Sequence, residues 1–163
     1  MSLKEELKLK KGFDIVEHEA LLNVYYTASL LKKRADVFFR TFGLTDVQFN
    51  VMMLLHYQGG PQGGPQGGLS QAQLSDMMLV NRANVTTLID RMEKASLVMR
   101  TSASGDRRTN IIKLTGKGKK LFAKTEPLYA KQVQQAMAGV AGAEQKKLIA
   151  VLGKVRANIN KSA

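Results

Sequence analysis

The sequence predicts a mainly α fold with a small β-hairpin, an α+β chain in one domain, and three observations carry the prediction. Apolar residues recur at helical spacing through most of the 163 residues. Polar caps stand where the periodic runs begin, and one stretch after Lys94 changes to strand, turn and strand composition.

The first run marks a long helix with two apolar stripes. Leu21, Val24, Tyr25, Ala28, Leu31, Ala35, Phe38 and Phe42 form one, and Leu22, Tyr26 and Leu30 the other. Two apolar faces imply two packing partners. Thr45 and Gln48 then make a capping box for a helix carrying Val47, Val51, Leu54 and Leu55. Residues 59–68 are a doubled PQGG unit, too poor in apolar surface to order itself, and read as a flexible surface loop.

Ser70 and Gln73 form a second capping box, opening a short helix with Leu74, Met77 and Met78 on its apolar face. Leu79 and Val80 lead into a turn, and Asn81 caps the next helix. There Val85, Leu88, Ile89 and Met92 lie on one stripe and must face the core. At 100° per residue the positions opposite are Ala83, Thr87, Asp90 and Lys94, flanked by Arg82, Asn84, Thr86 and Arg91. Residues 97–101 and 109–114 then read as two strands joined by a small polar turn. Gly105 in that turn is free to take positive φ, and Asp106 can bond its own backbone, which projects Arg107 and Arg108 from the tip.

Two capped helices a short turn apart, followed by a hairpin, are a winged helix-turn-helix. Its residues carry the matching chemistry. Asn pairs in two-pronged fashion with adenine and Arg with guanine, while Thr offers a hydroxyl and a methyl. Asn81, Arg82, Asn84, Thr86, Thr87 and Arg91 are the candidate DNA-binding residues of the recognition helix. Arg107 and Arg108 suit a minor groove and its phosphates, with Asp106 bracing the wing by pairing one of them.

Downstream, Thr115 caps a helix bearing Leu121, Phe122, Leu128, Tyr129, Val133 and Met137, with Pro127 as an expected kink and Gly139 and Gly142 as its end. A last helix carries Leu148, Val151, Leu152, Val155 and Ile159. These terminal helices hold more apolar surface than a small winged helix can cover, so a second copy is expected to cover it around a two-fold axis. The organisation expected is thus one domain over 1–163. Dimerisation helices span 12–44 and 116–161, and a reading head spans 45–115.

Composition narrows the function. A net charge of +12 and a pI near 10.0 attract polyanions. No phosphate loop, carboxylate pair or activated nucleophile is present, so no enzyme and no cofactor are expected. Glu17, His18 and Glu19 are neighbours that point in different directions on a helix, which speaks against a metal site. Without cysteine, thiol oxidation cannot serve as a sensor. Neither an apolar signal segment nor a membrane-spanning run is apparent, which places the expected protein in the cytoplasm with no membrane partner.

Residues 69–122 resemble the MarR (multiple antibiotic resistance regulator) family of winged-helix transcription factors. Four stretches carry the likeness: LSQAQLSDMM, NRANVTTLIDRMEKASLV, the GDRR tip and IIKLTGKGKKLF. The resemblance implies groove-facing roles for Arg82, Asn84, Thr86 and Thr87, and a wing-tip role for Arg108. It also implies a homodimer on double-stranded DNA and a cleft for a small aromatic or apolar effector. Asn81 departs from the Ser or Asp common in the family. It still caps, but removes an acidic partner for the wing arginine. The function expected is a sequence-specific, ligand-responsive repressor of a pseudo-palindromic operator. The alternative is an architectural or protein-docking winged helix without base readout.

Overall fold

The computed structural model describes residues 2–58, 67–103 and 106–161, with the side chains of residues 103–109 outside that description. The elements are α1 (Leu3–Glu6), α2 (Val16–Arg40), α3 (Asp46–Tyr57), β1 (Leu69–Ser70), α4 (Gln71–Met78), α5 (Arg82–Lys94), β2 (Val98–Ala103), β3 (Asp106–Leu114), α6 (Gly116–Ala136) and α7 (Gly142–Lys161). Helices dominate, as expected, and the described strands form a small antiparallel sheet of order β1-β3-β2. Two elements lie outside the sequence expectation. One is α1, opened by a capping box between Ser2 and Glu5. The other is β1.

Strand β1 pairs Leu69 with Ile112 and Ser70 with Ile111. It is easily overlooked, because Ser70 ends the strand and also caps α4, its hydroxyl accepting from Gln73 N–H at 3.2 Å. Of the loop read as 59–68, residues 59–66 lie outside the described residues. Gly68 at its end is packed hard on β3: a Cβ there would fall 2.5 Å from both Ile111 Cγ2 and the Ile112 carbonyl oxygen.

The chain divides into two compact units, Met1–Phe122 and Ala123–Ala163. In the first, the rings of Phe39 and Phe49 stack at 4.4 Å, and those of Phe49 and Phe122 at 5.5 Å. Leu44, Val51, Met52, Leu55 and Leu74 are buried with them. Neither apolar stripe read along α2 includes Phe39, yet it is the buried ring of that helix, since its stack on Phe49 chooses the face. Farther up α2, Val24, Tyr25, Leu31 and Val37 are exposed.

In the second unit α6 continues as helix through Pro127 to Ala136. Gly139 takes φ +82 in the turn that follows, whereas Gly142 opens α7 rather than closing α6. No residue of α7 is buried, and Leu148, Ile149, Val151 and Ile159 are exposed. Among the described residues no helix is long and apolar enough to cross a membrane.

Candidate nucleic-acid interface

Helix α5 begins as its sequence dictates. Asn81 is the N-cap, and its Oδ1 accepts from Asn84 N–H at 3.0 Å. Val85, Ile89 and Met92 are each 0% exposed, which fixes the rotation of the helix about its axis. The opposite face therefore turns outward, and Asn81, Arg82, Asn84, Thr86, Thr87 and Arg91 are all exposed. Thr86 and Thr87 donate their hydroxyls to the carbonyls of Arg82 and Ala83 at 3.0 and 3.2 Å. Each hydroxyl oxygen is thereby left as an acceptor toward solvent or a base. Arg82 and Arg91 are exposed and form no ion pair among the described residues.

Both ends of α5 are tied to neighbouring elements. Before it, α4 ends on Leu79 in left-handed backbone at φ 54, and the buried Ser75 donates its hydroxyl to the Val80 carbonyl at 2.5 Å. That bond ties the end of α4 to the turn that leads into α5. After it, Lys117 Nζ donates to the Ala95 carbonyl at 2.8 Å, a cation on the negative end of the helix. Thr115 donates its hydroxyl to the Ser96 carbonyl at 2.6 Å and accepts from Gly118 N–H at 3.0 Å, capping α6 with the same oxygen.

The wing is latched to α5 by Arg100 of β2. Its guanidinium bonds Asp90 at 2.5 Å and also Glu93, while its backbone N–H donates to Glu93 Oε1 at 3.1 Å. Burial works against the charge of Arg100, but the bonds to Asp90 and Glu93 outweigh it and the pKa lies above its ordinary value. Asp90, one of the outward positions of α5, is thus held by the wing. Sequence reasoning missed this latch. Its trace is a carboxylate pair one helical turn apart, followed by an arginine in the next strand.

Strands β2 and β3 pair from Val98 and Leu114 out to Ala103 and Asp106, with a register shift after Ser102. The backbone of Asp106, Arg107 and Arg108 belongs to β3 at the tip of the wing. Their side chains, and Ser104 and Gly105, lie outside the described residues, as does the pairing read for Asp106. Elsewhere, His56 rests its ring on Phe122 at 4.6 Å. Among the described residues no group of three or more acidic or histidine side chains is placed to hold a metal.

The geometry agrees with known proteins. The profile of the MarR family matches residues 42–109, a span running from just past α2 into the wing. The HTH-type transcriptional regulator FarR of Neisseria gonorrhoeae is 30% identical over 121 residues, covering 72% of this chain and 77% of that protein. AbsC, a MarR family transcriptional regulator from Streptomyces coelicolor, superposes with a TM-score of 0.81 at 20% identity, over 93% of this chain and 99% of that one. MepR of S. aureus, in a structure of its DNA complex, superposes with a TM-score of 0.74 at 20% identity, over 83% of this chain and 93% of that one. The chain is a member of the MarR family, a DNA-binding transcriptional regulator built on a winged helix-turn-helix.

Proposed function

We propose that the protein is a homodimeric regulator that reads a pseudo-palindromic operator through base contacts and releases it on binding a small aromatic or apolar effector, acting as a repressor. The observation that carries this reading is α5, whose Val85, Ile89 and Met92 are fully buried while Arg82, Asn84, Thr86, Thr87 and Arg91 stand exposed with groove-reading chemistry. Asn81 contributes the cap, and its amide group stands beside them. Arg107 and Arg108 at the wing tip take the flanking minor groove, with Asp106 bracing one of them. The DNA complex of MepR supports the same use of the fold.

Support for a dimer comes from apolar side chains left uncovered in the single chain: Val24, Tyr25, Leu31 and Val37 on α2, and Ile149 and Ile159 on α7. A second copy covers such surface, and two-fold symmetry places two recognition helices in successive major grooves. A regulator of this kind acts beside the chromosome, in the cytoplasm. Selection of bound sequences from a random duplex library, at about 0.15 M salt to suppress electrostatic background, tests the reading. Enrichment of an inverted repeat with half-sites one helical turn apart is expected. Binding with no enriched sequence would refute base readout and favour the architectural alternative.

A further inference from the structure

Leu79 is 92% exposed, more than any other large apolar side chain among the described residues. It also occupies left-handed backbone, φ 54 and ψ 40, where glycine or asparagine is favoured and a Cβ is strained. Neither packing nor conformation accounts for a leucine here. The turn is made by other groups: Leu79 N–H donates to the Asp76 carbonyl at 3.3 Å, Val80 N–H donates to the Ser75 carbonyl at 3.2 Å, and the Ser75 hydroxyl closes on Val80. Residues held in strained backbone concentrate where a molecule makes contact. Leu79 stands three residues before Arg82, within roughly 11 Å of chain, so it borders the exposed N-terminal face of α5.

We infer that Leu79 is an apolar DNA contact that covers the groove wall beside the start of α5, against a thymine methyl or a deoxyribose edge. The inference rests on the reading of α5 as a groove reader. DNA fits better than a protein partner. The only other exposed large apolar group in that stretch is Met77, 44% exposed, too little for the buried centre of a protein interface. A single aliphatic side chain, by contrast, is a common unit of thymine recognition. The neighbours Asn81, Arg82 and Asn84 supply the polar contacts around it.

Three variants separate contact from scaffold. Leu79→Gly and Leu79→Asn suit the left-handed backbone and lose the apolar group, whereas Leu79→Met keeps it. Thermal unfolding and affinity for the duplex enriched by selection are measured for each. The glycine and asparagine variants are expected to be at least as stable as the native protein yet to bind about tenfold more weakly. The salt dependence should not change, because no phosphate contact is lost, and the methionine variant should bind near normally. Replacing half-site thymines one at a time with deoxyuridine then identifies the source of the contact. A loss suffered by the native protein but not by Leu79→Gly marks a thymine methyl, and its absence at every thymine assigns deoxyribose. Native affinity in Leu79→Gly or Leu79→Asn, with Asn84→Ala still weakened, overturns the role of Leu79 alone. If Asn84→Ala also binds normally, the groove-reading assignment falls with it.

Discussion

Two glycines at the start of α6, two residues apart, should respond to alanine in opposite directions. A Cβ at Gly118 would lie 2.1 Å from the Leu97 carbonyl oxygen, whereas one at Gly116 meets nothing within 4 Å. Carbon-to-oxygen contacts settle at roughly 3.3 Å or more, so Gly118→Ala must part α6 from the entry to β2 by about 1 Å. Overpacking of this kind costs about 1–3 kcal/mol. The Thr115 N–H donates to the same Leu97 carbonyl at 3.1 Å, and loosening that bond adds about 1 kcal/mol. The expected loss is about 2–4 kcal/mol, which lowers Tm by roughly 8 °C. Gly116→Ala gains helix propensity, up to about 1 kcal/mol, and raises Tm by roughly 2–4 °C. Thermal unfolding followed by circular dichroism at one fixed protein concentration checks both, since self-association moves Tm. A Gly118→Ala protein as stable as the native one would refute the packing argument.

Other substitutions probe the reading head. Ser96 holds φ 59 just past α5, so Ser96→Gly should stabilise by up to about 1 kcal/mol, read as a higher denaturant midpoint with unchanged slope. A double-mutant cycle of Arg100→Ala with Glu93→Gln should show coupling of about 0.5–1 kcal/mol, because both carboxylates of the latch are partly exposed. Zero coupling would make the latch an incidental surface pair. Asn84→Ala should relax base preference in its half-site by about 1–3 kcal/mol. Arg108→Ala should instead weaken binding across all sequences and lower the salt slope by about one. Titrations against the selected and an unrelated duplex at several salt concentrations distinguish the two patterns.

What could be read from the sequence was set by local chemistry. The caps at Thr45, Ser70 and Asn81 and the inner stripe Val85, Leu88, Ile89 and Met92 follow from neighbours within one or two helical turns, and the structure has them as read except that Leu88, at the edge of the stripe, is half-buried. The outward face of α5 follows from the same periodicity. Features that depend on distant pairings were not legible. Strand β1 is two residues long and exists only because β3 lies beside it, and Gly68 is demanded by that approach rather than by its turn. Choosing Phe39 over Phe38 needed the ring of Phe49. The Arg100 latch joins residues seven and ten positions apart across a helix and a strand. Leucine at a left-handed position has no sequence signature, because nothing local asks for it.

The fixtures at the two ends of α5 have a mechanical consequence. With Ser75 holding the turn before it, Lys117 and Thr115 holding the carbonyls after it, and Arg100 gripping its outer side from the wing, the helix has little freedom to bend, roll or slide by itself. These bonds join the helix and the base of the wing into one unit. If the protein is the ligand-responsive dimer proposed above, a signal that frees the operator has to shift that whole unit relative to its twin, so the quantity under control becomes the distance between two stiff bodies rather than the shape of either.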